Sequence, residues 1–398
     1  MLKMAVVIMS WSISRNRKNI ESLAKLQRSF KKGQIVEPCS DSSAWYKAYG
    51  TGTVTFPDGK LRILSAGTDV AARRGCLFNL SGAKTLKIRF YLDNHTDMYD
   101  IQFYFSNDTT YTDYLTYSIR FWRLSAGWNE HIIDVNKLVV RGAGSLTREI
   151  VSMQIRVLAY EGKTSSVTFD PIVRDESQQG RVIFMFDDGW DSQYTEAFKY
   201  MSKYSMPGVI AVIPTRVGTP QYVTMAQLKE IYSYGWDLAN HTQNHLDLAT
   251  LGDAMIIEQE ISLGEAWLNA NGFSRASNIV AYPFGSYDNR VLLAMQSRRA
   301  GRIVMDDTVT QPPPDKRLIK IQRADYTAAP DKLNGFIDEA ANLGGVCLFL
   351  FHKIVSGTAV DNLEYNVDFF KQVVDYAYSR RADIDTVTFS EWLDSCGM

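Results

Sequence analysis

The chain has 398 residues, 45% of them hydrophobic and 22% charged, with a formal net charge of −1 at pH 7. These values exclude a disordered chain, a collagen-like fibre and a disulfide-dense miniprotein, and they give the molecule no bulk attraction for nucleic acid. The length suits two or three domains, each large enough to bury a core without staples. Aromatic residues reach 12%, with 8 Trp and 21 Tyr, which fits β-domain cores and sugar-stacking surfaces alike.

In chain order, residues 1–38 read as a basic arm, partly helical. Residues 1–34 carry Lys3, Arg15, Arg17, Lys18, Lys25, Arg28, Lys31 and Lys32 against Glu21 alone, and Ile20, Leu23, Leu26 and Phe30 fall at helical spacing. Such an arm suits homo-oligomer formation or docking onto an attachment partner. The first 14 residues make a poor signal peptide, because the apolar run is short and Lys3 is its only leading charge. No run approaches the ~20 apolar residues of a membrane span. Cys39, Cys76, Cys347 and Cys396 are scattered, with no C-x-x-C pair.

Residues 39–175 alternate with period two. Leu86, Ile88, Phe90 and Leu92 interleave with polar residues, as do Ile101, Phe103 and Phe105, and Met153, Ile155 and Val157. Short strands divided by polar turns predict an all-β sandwich, jelly-roll-like. Trp45, Tyr46, Tyr104, Trp122 and Trp128 are its candidate sugar-stacking platforms, so this region is a candidate carbohydrate-binding module. Residues 175–180 read as a polar linker.

Over residues 181–398 the rhythm changes. Apolar strand-like runs at 182–186, 209–213, 236–239, 278–282, 302–305, 318–321, 346–351 and 385–388 alternate with helical patterns at 223–233, 253–270, 288–299, 331–342 and 364–379. Repeated β–α units predict an α/β domain with a parallel sheet, open or closed into a barrel.

Four chemical signals close apolar strands in this region. Asp187-Asp188-Gly189 follows Val182–Phe186, and two adjacent carboxylates at a buried strand end require a cation or strong donors nearby. His241 and His245 stand four apart, a spacing that on a helical turn lets both imidazoles reach one cation. His352 follows Val346–Phe351, and Tyr282-Pro283-Phe284-Gly285 closes the run at 278–282. Each signal alone also fits a helix cap, a surface pair, a satisfied histidine or an ordinary turn. Their shared place, at the trailing ends of strands, is where α/β barrels hold their active sites.

With Phe186-Asp187-Asp188-Gly189, His241-Thr242-Gln243-Asn244-His245, Tyr282-Pro283-Phe284-Gly285 and Leu350-Phe351-His352 in this order, the chain resembles the polysaccharide deacetylases with a NodB-homology domain, carbohydrate esterase family four. The resemblance spans about residues 181–395. It implies a distorted (β/α) barrel with fewer than eight regular strands, and a divalent metal, zinc above all, held by Asp188, His241 and His245. It implies that Asp187 is the catalytic base and His352 the catalytic acid. The Phe284 N–H would face the oxyanion. Tyr282, Trp190 and Arg323 complete the expected substrate-contacting set. The family's third motif opens with Arg, and this chain has Ala281 there; Arg323 is the expected substitute. The later motif bearing Asp and Trp is also indistinct, with Asp306 and Asp307 nearest and no Trp following.

The function implied is removal of acetyl groups from an N- or O-acetylated polysaccharide. The alternatives are a hydrolase of non-peptide C–N bonds in small amides, and a catalytically silent glycan-binding protein. Such substrates place the protein outside the cell or on its surface, with a virion-borne protein as the alternative.

Overall fold

The computed structural model describes residues 33–175 and 179–398. They fall into two compact units that divide at residues 177/178. The basic arm lies almost wholly outside the described residues. The helical spacing over residues 20–30 lies outside the described residues, and the arm's described end carries a strand, Gln34–Glu37.

The first unit is all-β. Its strands are β1 (Gln34–Glu37), β2 (Tyr46–Thr55), β3 (Arg62–Asn79), β4 (Thr85–Leu92), β5 (Met98–Ser106), β6 (Tyr114–Arg120), β7 (Gly127–Asp134), β8 (Val139–Arg141), β9 (Glu149–Ala159), β10 (Thr164–Phe169) and β11 (Ile172–Arg174). All pairings are antiparallel, and hydrogen bonds run continuously in the order β1-β11-β4-β10-β3-β9-β5-β6-β8, with β2 on β3 and β7 on β4. The sheet closes over a single core. Phe103 of β5 and Phe169 of β10 meet at 6.1 Å between ring centres, although three strand spacings of ~4.8 Å separate them along the sheet. The alternation seen in the sequence supplies that core: Leu86, Ile88, Phe90, Ile101, Phe103 and Ile155 are all buried. Trp45, expected as a sugar platform, is instead 5% exposed, and its Nε1 donates to Glu37 Oε1 at 3.2 Å. Cys39 and Cys76 are free thiols.

The second unit is a parallel α/β barrel. Its strands are β12 (Gly180–Phe186), β13 (Val209–Val212), β14 (Asp237–Asn240), β15 (Ile279–Ala281), β16 (Ala300–Asp306), β17 (Ile319–Arg323) and β18 (Val346–Phe351). They pair in chain order, and β18 and β13 both pair with β12, so the sheet closes at seven strands. Lys353–Val355 (β19) and Glu364–Asn366 (β20) form a separate pair, and β21 (Ile384–Thr386) adds to the start of β12.

Runs such as Val346–Phe351 carry no alternation because both faces are buried. Even residues of β12 (Val182, Phe184, Phe186) pack outward beneath the helices. Odd ones (Ile183, Met185) join Ala211, Ala239, Ala281 and Leu348 in a core to which all seven strands contribute, which is the barrel interior. The small alanines suit the narrow lumen of so few strands. The C-terminal helix Phe389–Ser395 adds Phe389, Trp392 and Leu393 to that core. Its Ser390 N–H donates to the buried Asp237 at 2.7 Å, at the start of β14. No helix among the described residues is long and apolar enough to cross a membrane.

Candidate active site

Strand alternation delivers the site. Counting by twos from interior core residues, Met185 leads to Asp187, Ala239 to His241, Ile321 to Arg323 and Leu350 to His352. Four strand ends thus aim polar side chains into one cavity of about 620 Å³ at the C-terminal mouth of the barrel. Asp188 would face outward by the same count. Positive φ values at Asp188 (74°) and Gly189 (77°) break the alternation, and both carboxylates line the cavity.

The histidine pair does not sit on a helical turn, contrary to the sequence expectation. Residues 241–245 form an irregular loop with φ of 62° at Thr242 and 61° at His245. Short polar side chains outcompete the helix here. Asn240 Oδ1 accepts the Thr242 N–H at 2.9 Å, and Thr242 Oγ1 accepts the His245 N–H at 3.1 Å. Glu260 Oε2 accepts the Asn244 N–H at 2.9 Å. Gly264 permits this packing, since a Cβ there would lie 2.3 Å from Asn240 Oδ1.

The loop brings Asp188, His241 and His245 together with one ligand atom of each within 4.8 Å of the others. Asp188 Oδ1 lies 3.5 Å from His245 Nε2 and 3.8 Å from His241 Nε2. Three features of these residues fit a metal. His241 Nδ1 lies 2.7 Å from the Ala281 carbonyl oxygen, which can only accept. The proton is therefore on Nδ1, and the Nε2 lone pair faces the cluster. Asp188 Oδ1 is buried with no hydrogen-bond partner, while Oδ2 accepts from Trp190 Nε1 at 3.0 Å. Burial pulls His245 down to about 4, so its imidazole stays neutral and able to donate a lone pair. Two imidazoles and one carboxylate form a donor set suited to zinc and leave coordination positions open.

Asp187 is buried beside this triad. Burial alone would raise its carboxyl, but the Arg302 guanidinium beside it holds it below the ordinary value. Arg302 is fully buried, and its Nη2 donates to Asp187 Oδ2. His241 Nε2 stands 3.6 Å from the same oxygen. Gln193 ties the two outer loops, its Nε2 donating to the carbonyl oxygens of Asp187 at 2.5 Å and His352 at 3.1 Å. It opens the π-helical turn Gln193–Phe198, a form frequent at functional sites. Burial lowers the His352 imidazole against the opposing pull of Asp187 and Asp188.

Two expected positions are corrected. Arg323 lines the cavity but does not replace the arginine missing at Ala281; its guanidinium pairs with Asp306 at 2.9 Å. The guanidinium beside Asp187 comes from Arg302, directly across the β15–β16 ladder from Ala281. Tyr282 does not line the cavity. It shares the parity of Val280, so it packs in the outer core, fully buried, with its hydroxyl donating to the Arg317 carbonyl at 2.8 Å. Trp190 and Phe284 do line the cavity. Trp190 stacks on Tyr222 at 4.4 Å, and Lys353 Nζ lies 4.2 Å from its ring centre. Phe284 is 68% exposed, and its ring lies 4.8 Å from that of His245.

Sequence reasoning missed Arg302, Gln193 and Arg216, whose Nη1 stands 3.6 Å from Asp188 Oδ1. Arg302 left a signal, a lone charge inside the strand-like run Ala300-Gly301-Arg302-Ile303-Val304. The other two sit in short helical turns after strand ends, Gln193 opening Gln193–Phe198 and Arg216 closing Pro214–Arg216, where no sequence pattern marks them.

Residues 174–300 match the family model described as polysaccharide deacetylase. YxkH of Bacillus subtilis (strain 168), named as a polysaccharide deacetylase, is 30% identical over 115 residues, which is 29% of this chain and 40% of that protein. A Staphylococcus aureus (strain MSSA476) poly-beta-1,6-N-acetyl-D-glucosamine N-deacetylase is 28% identical over 114 residues, covering 25% of this chain and 39% of that protein. The chain therefore spans about two fifths of the length of these curated relatives. Among solved structures, the Xyl-CE4 domain of a multidomain xylanase from the hindgut metagenome of Trinervitermes trinervoides aligns over 56% of this chain and 93% of its own, with 16% identity and a TM-score of 0.39. Peptidoglycan deacetylase PdaC from Bacillus subtilis aligns over 55% and 92%, with 16% identity and a TM-score of 0.38.

Proposed function

We propose that the polysaccharide deacetylase family domain carried by this chain is a working metal-dependent hydrolase that removes acetyl groups from an N-acetylated glycan. The observation that carries this reading is the junction of a metal-ready Asp188–His241–His245 cluster with a buried, arginine-held carboxylate and a histidine in one cavity. The name of the Staphylococcus aureus relative supports N-acetyl over O-acetyl groups.

A divalent cation, zinc by donor type, would be held by Asp188 Oδ1, His241 Nε2 and His245 Nε2, and would supply Lewis acidity able to bring the pKa of water from ~15.7 towards ~7. Asp187, kept ionised by Arg302, accepts the proton of the attacking water. His352 gives a proton to the departing amine, so that acetate and a free amino sugar leave. Arg302 positions Asp187 and Gln193 positions both loops; neither touches substrate in this scheme. The Phe284 N–H donates to the developing oxyanion. Trp190 and Phe284 offer apolar walls against which a sugar ring packs. Acetylated glycans of cell walls and capsules lie outside the cytoplasm, so we place the protein at the cell surface or on a virion that carries it there.

The test pairs metal content with acetate release over a panel of acetylated polysaccharides. The wild type is expected to hold one metal per chain and lose turnover on chelation. Asp187→Asn keeps the metal and loses ~10²–10⁴ in rate, whereas His241→Ala loses both. Equal turnover by wild type and Asp187→Asn overturns the assignment.

A further inference from the structure

The first unit carries a second candidate surface. On β5 the residues Asp100, Gln102, Tyr104 and Ser106 face away from the core that takes Ile101, Phe103 and Phe105. Strand register extends that outer face on both sides. Tyr46, Arg73, Gln154, Tyr104 and Thr116 form one continuous cross-strand row over β2, β3, β9, β5 and β6. A parallel row holds Arg156, Gln102 and Ser118, and a third holds Asp100 and Arg120. Five strands at ~4.8 Å spacing make a face ~19 Å across, wide enough for several linked sugar rings.

The face is built of flat groups fixed to one another. Arg73 Nε donates to Gln154 Oε1 at 2.6 Å, and the Arg73 guanidinium lies 4.2 Å from the Tyr111 ring centre. Gln154 Nε2 donates to the Tyr49 hydroxyl at 3.2 Å, and the Tyr104 hydroxyl donates to Gln102 Oε1 at 2.7 Å. Arg156 pairs with Asp69 at 2.7 Å and Arg120 with Asp100 at 3.3 Å. Asp100 is fully buried beneath the face, where its Oδ2 accepts from Gln102 Nε2 at 2.8 Å and fixes that amide.

At the Arg120 end the face adjoins a patch of exposed aromatic rings. The Arg120 Nη1 donates to the Tyr99 hydroxyl at 3.4 Å. Tyr99 meets Tyr160 at 5.5 Å, Tyr160 meets Phe121 at 6.0 Å, and Phe121 meets Trp122 at 5.1 Å. Trp122 is 56% exposed and each of the others between 37% and 40%. Contiguous exposed aromatic surface marks a binding site. Rings that give contact area beside rows of amide, guanidinium and phenol groups match a ligand with apolar C–H faces and a hydroxyl rim.

We infer that this face binds an uncharged pyranose chain, independently of the catalytic cavity. Charge decides the ligand class. Two of the three guanidiniums are paired with carboxylates, and the third, Arg73, bonds to Gln154 and lies against the Tyr111 ring, so the rows carry only a small excess of positive charge, too little to select a polyanion. The same amide, guanidinium and phenol groups suit hydroxyls. Tyr46, Tyr104 and Trp122 belong to this region, whereas Trp45 is buried away from it.

The test is native affinity electrophoresis of the full-length chain in gels holding xylan, hydroxyethyl cellulose or glycol chitin. At least one polysaccharide is expected to retard the protein. Asp187→Asn leaves that retardation unchanged, which separates the face from the catalytic cavity. Trp122→Ala and Gln102→Ala each weaken it at least tenfold, while acetate release from a short acetylated oligosaccharide stays at the wild-type level. Thermal unfolding of both variants checks that they fold, and Trp122, being exposed, is the safer of the two. Retardation by none of the three polymers, or retardation untouched by Trp122→Ala, overturns the proposal. So does a dimer in light scattering that Trp122→Ala dissociates, because a second copy then covers the patch.

Discussion

Replacing Arg302 by Met separates the two halves of a buried ion pair. At an ordinary contact of ~2.8 Å and an effective dielectric of ~20, Arg302 and Asp187 attract by ~6 kcal/mol. Taking both charges out of water costs several kcal/mol each, so the intact pair stands near balance. Arg302→Met removes the attraction and leaves the Asp187 charge buried, which is expected to cost ~3–5 kcal/mol. Asp187→Asn leaves the Arg302 charge buried in its turn, offset only by the hydrogen bond that the amide oxygen still accepts from it, and is also expected to destabilise. The double variant carries no buried charge at this position and is expected to recover ~2 kcal/mol or more relative to Arg302→Met alone. The assay is urea denaturation of chelator-treated protein, followed by tryptophan fluorescence, with midpoints compared at unchanged m. If the two single losses add to within ~0.5 kcal/mol, the side chains are not coupled and the pairing argument fails.

Three further outcomes follow from the same geometry. Gly264→Ala places a methyl group against Asn240 Oδ1; overpacking of ~1–3 kcal/mol is expected, and metal titration should show weaker binding because the histidine loop hangs from Asn240. Adding zinc at 100-fold over its Kd should stabilise the wild type by ~2.7 kcal/mol and His241→Ala by almost nothing, read as the shift in Tm on metal addition. In the first unit, hydrogen bonds from the Thr110 side chain and from the backbone of Asp113, Thr112 and Thr110 hold the Asp108 carboxyl down to about 2. Its value in the unfolded chain is ~3.9. The stabilisation is therefore complete above pH ~4 and fades as pH falls through about 2. Wild type and Asp108→Ala should differ in urea midpoint at pH 6 and converge near pH 2; a constant gap would show that the carboxylate's charge plays no part.

The strands of the barrel were legible because a parallel sheet buried on both faces leaves unbroken apolar runs such as Val346–Phe351. Asp187, His241 and His352 were legible because each closes such a run. The path of the histidine loop was not, because an i, i+4 spacing describes residues and not backbone, and Asn240 and Thr242 bend it by bonds that spacing cannot express. Arg302 was hidden for a different reason. A guanidinium can reach the same carboxylate from either of two adjacent strands, and only the register of Ala281 against Arg302 shows which strand supplies it. Tyr282 was misplaced by adjacency to a loop, although one step of strand parity turns it outward. In the first unit alternation revealed the core, while the cross-strand rows of the outer face required pairings between strands distant in the chain.

The left-handed backbone at Asp188, Thr242, His245 and Phe284 has a price in foldedness. Aspartate and histidine tolerate that conformation, but a β-branched threonine and a bulky phenylalanine adopt it against their own preference. At ~1–3 kcal/mol each, the loops around the barrel mouth hold several kcal/mol that the remaining structure must outweigh. Selection for thermal hardiness alone would drift these positions towards glycine or asparagine. A chain so relaxed would outlast its parent on heating and carry a blunted reaction centre, so heat resistance is a misleading guide when choosing improved variants of this protein.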